Sequence, residues 1–581
     1  MGAFFRTLFA TIFANLILFI LAIFVIAGLA ATKGKTSIPD HATLHLRIPP
    51  AVMEYPSTLG QPFGDEPTTL HELRQNLRKA AVDKRIERVI LSMSITDIGW
   101  ASIDELRAEI ANVKKAGKPV YAYLEWLTFR NYYLAAAADS IWMPDRGFVI
   151  YNGIDAQRMF RKSLWDKIGV VMRTHKIEAY KSAAETDTRT DLSSPARENA
   201  QWILDAQVAR VREAIAKDRE KEPAFFDSML ALVGPNPAEA AKSGFIDEVV
   251  YWGDIQDRFE GKDSRLGKSL IVGGTKYAKV TPAEVGLKGP TKVAIIHAQG
   301  AIAGDRSGDN PFLGTTMGAA TVNKELRRVA DDKSIDAVVF RVDSPGGATY
   351  TSDLIRREVA KLEAKKPLVV SMGDVAASGG YMISYPCSML VANPMTRTGS
   401  IGSIFNVPYV KGLTDKLGLT FDGVGYGPHA RIGSLVTPWT PEEQKIVEQR
   451  HWQSYNTWVE DIARVRGMTF AEVDSIGRGR VWTGEQAYER GLVDTLGTLD
   501  DAIAIAAAMA GGKPGEGVSE THYPKQLSFW EAVQAGEWMM AREALARTIW
   551  HDATEPVRSG FESLEIWFSG TELAVDEGAL P

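Results

Sequence analysis

Cysteine is almost absent: Cys387 is the single one in 581 residues. No disulfide within the chain and no cysteine-based zinc site can form. Histidine is scarce too, nine in all, with no HExxH pair or tight cluster, so no metal centre is expected. Charge of one sign is also missing. Lys and Arg number 66 against 72 Asp and Glu, a near balance that offers neither a broad basic field for nucleic acid nor an acidic tail. With 45% apolar and 24% charged residues, the chain has an ordinary globular balance, which excludes a mostly disordered protein. Its length excludes a single small module.

Long apolar runs are missing but for one. Residues 7–31 carry no charge, and at about 1.5 Å per residue they can cross a hydrocarbon core of about 30 Å. A cleaved secretory signal is the bland alternative, with Gly28-Leu29-Ala30 as a small-residue site. The apolar core of such a signal is usually only about 7–15 residues, so the expectation is a retained transmembrane anchor. Arg6 on one side and Lys33 and Lys35 on the other leave its orientation unset.

Internal similarity organises the remainder. NLRKAAVDKRIERVIL at 76–91 returns as ELRRVADDKSIDAVVF at 325–340, 249 residues on. Both read as an amphipathic helix, a charged turn and a buried strand. KPVYAYL at 118–124 matches KPLVVSM at 366–372, and GFID at 244–247 matches GLVD at 491–494, at offsets of 248 and 247. Order and spacing agree at three places, which indicates a tandem duplication: one repeat over 40–262, a linker over 263–289 and a second repeat over 290–512. Strands alternate with helical stretches such as SIDELRAEIANVKKAG and TSDLIRREVAKLEAK, the rhythm of a mostly parallel α/β sheet. Residues 513–581 match neither copy and form a C-terminal extension, Trp-rich and amphipathic, suited to docking on its own chain, with a membrane-surface or partner contact as the alternative.

The chemistry is expected where the copies disagree. Asp343-Ser344-Pro345-Gly346-Gly347 follows one buried strand of the second copy, and Gly373-Asp374-Val375-Ala376-Ala377-Ser378-Gly379-Gly380-Tyr381 follows the next. Glycines there let backbone amides face outward, and a serine opening a helix gains donors for a developing oxyanion. Small residues around a serine more often make a plain turn. In the first copy, however, spacing puts Arg130 opposite Ser378 and Asp97-Ile98 opposite Gly346-Gly347, so one copy can attack and the other cannot. A serine needs a base. Lys181, in Tyr180-Lys181-Ser182-Ala183, serves if desolvation keeps its amine neutral. His429, 248 residues after Lys181, is the rival within the second copy.

Together, GDVAASGGY at 373–381, DSPGG at 343–347, TGSIG at 398–402 and YKSA at 180–183 resemble the long, tandem-repeat form of signal peptide peptidase A (protease IV). The resemblance spans residues 1 to 512. It implies an α/β fold of two tandem ClpP/crotonase-like units after an N-terminal transmembrane helix, and a Ser/Lys peptidase that needs no cofactor. Carried over, Ser378 is the nucleophile, Lys181 the general base, Gly347 and Gly379 the oxyanion donors, and Ser400 the group that orients the lysine. Short relatives keep both dyad members on one unit about 50 residues apart. Here Arg130 to Lys181 and Ser378 to His429 both span 51, so the duplication has divided the dyad between the repeats.

The resemblance also implies a bacterial inner-membrane protein with its catalytic part in the periplasm, assembled as a ring-like homotetramer. Its substrates would be apolar peptides such as remnant signal peptides, and nucleic acid is not a partner. Two readings compete with it: a crotonase-like acyl-CoA enzyme, and a catalytically silent membrane scaffold.

Overall fold

The helix-then-strand unit that occurs twice in the sequence folds twice in the same way. In the first copy Thr69 caps the helix Leu70–Val82 by accepting from the Glu72 amide, and the strand Ile86–Met93 follows. In the second, the helix Ala319–Asp331 leads to the strand Ala337–Ser344. The computed structural model describes residues 37–56, 68–231, 234–260, 269–310 and 314–525. The anchor expected at 7–31 and most of the segment 513–581 lie outside them. Among the described residues no helix is long and apolar enough to cross a membrane.

Matched residues do matched work. Lys118 donates to the carbonyls of Ala80 and Asp83 at 2.6 Å, tying its strand to the end of the preceding helix. Lys366 does the same through Asp332 and Ile335. Asp247 accepts from the Ile141 amide and Asp494 from that of Leu390, both at 2.7 Å, and Arg219 and Arg466 clamp these two carboxylates.

Each copy builds one parallel sheet. The first runs Glu248–Val249, Ser140–Met143, Val120–Leu124, Ile86–Met93, Ala42–Ile48, Ile271–Gly273. The second repeats that order as Thr495–Leu496, Met389–Ala392, Leu368–Ala377, Ala337–Ser344, Thr291–Gln299, Val518–Tyr523. It adds Arg397–Gly399, parallel beside the far end of Leu368–Ala377, and then Val481–Thr483, antiparallel to Arg397–Gly399. Helices such as Trp100–Lys115 and Thr349–Glu363 cover the sheets, so the central strands are buried on both faces, as all-parallel sheets require.

The sequence boundaries need correction at the C-terminal end of each repeat. Ile271–Gly273 falls in the span read as linker, yet it pairs with Ala42–Ile48 and closes the first sheet. Val518–Tyr523 falls in the span read as extension, yet it pairs with Thr291–Gln299 and closes the second. The two edge strands occupy the same place in their sheets but share too few residue types to match by eye.

The repeats are joined by backbone pairing and by charge. Val171–Lys176 of the first copy pairs antiparallel with Ile404–Tyr409 of the second. A seam of buried charge lies between the sheets: Arg341 meets Glu54 at 3.0 Å and Glu105 at 2.9 Å, Arg74 meets Asp500 at 2.8 Å, and Arg78 meets Glu520 at 2.8 Å. Burial alone would lower the Arg341 pKa; the carboxylates of Glu105 and Glu54 outweigh it and hold the guanidinium charged.

Candidate active site

The strand Leu368–Ala377 ends at Ser378, which opens the helix Gly379–Ser384. Ser378 has φ 55° and ψ −118°, a conformation rare for a residue with a side chain and typical of strain held at functional turns. Its amide donates to the Gly399 carbonyl at 2.9 Å, fixing the elbow to the neighbouring strand. The elbow also carries one residue more than its counterpart in the first copy. Val342 pairs with Met372 as Met93 pairs with Leu124, so on the strand entering the elbow the matched residues Leu124 and Met372 lie 248 apart. Beyond it, Tyr381 donates to the Leu492 carbonyl as Tyr132 does to that of Phe245, an offset of 249. Counting back from the tyrosines sets Phe129 opposite Ser378 and Arg130 opposite Gly379. This corrects the spacing-based pairing of Arg130 with Ser378. Arg130 instead binds Asp97 and the Ile98 carbonyl, filling the place where the second copy has its glycines.

Gly346 and Gly347 lie beside the elbow. Gly347 has φ 151° and forms a bridge with Ile302. A Cβ there would lie 2.1 Å from the Ile302 carbonyl oxygen, so no larger residue fits. The Gly347 nitrogen lies 3.2 Å from where a Cβ on Gly379 would stand, so these two stretches of backbone frame one small space next to Ser378.

Lys181 arrives from the other repeat. It follows the strand Val171–Lys176 across the junction, and its Nζ lies 3.0 Å from Ser378 Oγ. The same nitrogen stands 2.8 Å from both the carbonyl and the hydroxyl oxygen of Ser400. Lys181 is 7% exposed, and burial pushes its amine down from 10.5 to about 7. A neutral amine has two N–H donors and one lone pair. Here both donors fit the two Ser400 oxygens, and the lone pair fits the Ser378 hydroxyl. His429 lies elsewhere, beside the Glu443 carboxylate at 3.5 Å, and among the described residues no hydrogen bond joins it to Ser378.

Sequence reasoning missed the cradle of this lysine. The Tyr180 amide donates to the Arg478 carbonyl, and Gly479 has φ 82°. A Cβ on Gly479 would sit 2.4 Å from the Lys181 backbone nitrogen. The Gly477-Arg478-Gly479-Arg480 run was the available signal. Gly479→Ala should push the Lys181 backbone away and lower kcat at least tenfold while leaving KM within about threefold. Steady-state kinetics on a peptide check this, and an unchanged kcat contradicts it.

Also missed was a pair of carboxylates beneath the elbow. Asp374 accepts from the amide and hydroxyl of Ser102, at the start of the helix Trp100–Lys115 in the first repeat. Asp343 accepts from the Val375 amide at 2.9 Å. Burial, then the Asp374 charge, raises Asp343 to about 7. The elbow is thus held from below by the repeat that supplies Lys181.

A serine on a strained elbow, facing a desolvated amine and two free-standing glycine amide segments, is the apparatus of a serine-type hydrolase. The model of peptidase family S49 matches residues 112–264 and 360–513, once in each repeat. The chain is 32% identical over 456 residues to protease 4 of Salmonella typhi, covering 76% of this chain and 72% of that one. It is also 32% identical over 454 residues to the chloroplastic serine protease SPPA of Arabidopsis thaliana, covering 76% and 66%. Among solved structures, a ClpP1 variant from Listeria monocytogenes matches 36% of this chain and 94% of its own, at 15% identity and a TM-score of 0.24. The chain belongs to peptidase family S49, in its tandem-repeat form, and is a serine peptidase. The acyl-CoA reading is set aside.

Proposed function

We propose that this peptidase works through a Ser378/Lys181 dyad divided between the repeats, and that it cleaves apolar peptides such as signal peptides left in a membrane. The observation that carries this reading is the 3.0 Å approach of the buried Lys181 amine to Ser378 Oγ. Neutral Lys181 takes the hydroxyl proton as Oγ attacks the scissile carbonyl carbon. The Gly347 and Gly379 amides hold the oxyanion; losing one such donor typically costs about 3–4 kcal/mol of barrier. The lysinium then protonates the leaving amine as the C–N bond breaks. Water repeats the sequence on the acyl-enzyme: it yields its proton to Lys181, and Ser378 Oγ leaves with that proton. Ser400 keeps the amine aimed at Oγ throughout.

Residues 7–31 serve as the anchor in this reading, with the catalytic part on the outer face of a bacterial inner membrane and the chain assembled as a ring-like homotetramer. The resemblance of the motifs supports this arrangement. An extended peptide would add as a strand beside the site, its apolar side chains taking the pockets. The full chain in detergent should cleave a synthetic signal peptide with kcat/KM at least tenfold above that of a polar, unstructured peptide of equal length. Mass spectrometry of the products reads this, and equal rates or a polar preference would overturn the substrate class.

A further inference from the structure

The duplication leaves each chain with one strand pair made and one pair unmade. KSLWDKIGV at 162–170 returns as KGLTDKLGL at 411–419, 249 residues on. The structure repeats it closely. The helices Lys162–Ile168 and Lys411–Lys416 are followed by left-handed glycines, Gly169 with φ 84° and Gly418 with φ 71°. Val170 donates to Trp165 and Leu419 to Thr414, both at 2.9 Å. Each copy therefore carries a segment before this helix and another after it.

Within the chain, the segment after the first helix, Val171–Lys176, pairs antiparallel with the segment before the second, Ile404–Tyr409. The two left over are 155–160, before the first helix, and 420–425, after the second. Neither is in a strand. The second is conspicuously bare: every residue from 415 to 428 is exposed, Leu419, Phe421 and Val424 among them. Tyr426 is 100% exposed, whereas Ile177, which matches it, is 0% exposed because its ladder has been formed.

We propose that residues 420–425 of one copy of the chain pair antiparallel with residues 155–160 of a second copy, in the register of the internal ladder, and so join copies head to tail. The register can be carried over position by position. Phe405 faces His175, Val407 faces Arg173 and Pro408 faces Met172. The matched pairs are Ala156 with Val424, Arg158 with Asp422, and Met159 with Phe421. In these three pairs apolar residues meet apolar ones and opposite charges meet, which the numerical transfer does not impose; the other three set Asp155 and Gln157 against the glycines Gly425 and Gly423, and Phe160 against Thr420. The flanking contact carries over as well. Gly169 packs against Gly412, where a Cβ would lie 2.5 Å from the Gly412 carbonyl carbon, whereas a Cβ on Gly418 meets nothing within 4 Å. In the joint, Gly418 would face the exposed Ser163 of the second copy.

Such a contact is heterologous: each chain offers one of each edge, so copies add in one direction until the ring closes. Closure covers both open edges, which otherwise invite uncontrolled pairing. The inference deepens the assembly within the proposed function, but it uses no residue of the dyad, so the two fail separately.

Cross-linking of the full chain in detergent tests it. In a Cys387→Ser background, Ala156→Cys combined with Val424→Cys should give, on mild oxidation, a ladder of dimers and larger species that reductant collapses. Gln157→Cys with Val424→Cys, one residue out of register and facing the other side, should give at least tenfold less. No intermolecular ladder, or equal ladders, overturns the proposal. Phe421→Asp with Val424→Asp, at positions already exposed, should sediment at the mass of one chain; an assembly that survives this change also overturns it.

Discussion

Ser378→Ala and Lys181→Met each abolish peptide cleavage, with losses on the order of 10⁴- to 10⁶-fold, and the double variant loses no more than either alone, because nucleophile and base act as a unit. His429→Ala keeps activity within a few-fold of the parent. The physical reason is placement: Lys181 stands 3.0 Å from Ser378 Oγ, while His429 stands against Glu443. The lysine variant has a second signature. The folded pKa of Lys181, about 7, lies below its unfolded value, so the unfolded chain binds more protons between pH 7 and 10. Burying the amine therefore costs stability, fully below about pH 7 and less as pH rises towards 10. Lys181→Met should be inactive yet melt at a higher temperature than the parent at pH 7. A variant that was inactive through misfolding would melt lower. Calorimetry beside a cleavage assay separates the two.

Arg341→Met should lower the unfolding free energy by about 3–5 kcal/mol, the usual cost of removing one partner from a buried ionic group. Arg341 is 1% exposed and lies between Glu54 and Glu105. Those carboxylates come from the first repeat and the arginine from the second, so the loss falls on the junction that assembles the dyad. The pH dependence follows from Glu105, whose pKa burial already raises despite the opposing pull of Arg341 and then Arg74. Without Arg341 it rises further, so the folded variant prefers the protonated acid. Its deficit should be largest near pH 8 and shrink as pH falls towards 5. Urea unfolding at the two pH values measures this; an equal deficit at both would mean the seam carries no charge.

Much of the fold could be read from the chain because the duplication preserved residues that hold backbone. Lys118 and Lys366 keep their identity because each satisfies the matched carbonyl of Asp83 or Asp332, and Asp247 and Asp494 because each holds the matched strand amide. The closing strands were not readable. Ile271–Gly273 and Val518–Tyr523 are held by backbone pairing, which tolerates almost any side chain. The ionic seam was hidden for a different reason: Arg74, Arg78 and Glu105 on helices look like a solvated face until a second sheet covers them. In the site, the motifs located Ser378, Gly347, Gly379, Ser400 and Lys181, and the structure brings these together. The single-residue elongation of the elbow escaped notice because offsets of 248 and 249 are equally plausible until hydrogen-bonded tyrosines fix the count. Gly479 escaped because its importance lies in what it leaves room for, the Lys181 backbone.

The most direct measurement is the rate at which a fluorophosphonate labels Ser378 in the full chain between pH 5 and 9. With Lys181 as base, the rate rises about tenfold per pH unit below about 7 and levels above it, in the parent and in His429→Ala alike. In Lys181→Met it stays low at every pH. A parent-like rise that survives in Lys181→Met, or that disappears in His429→Ala, would contradict a dyad shared between the two repeats.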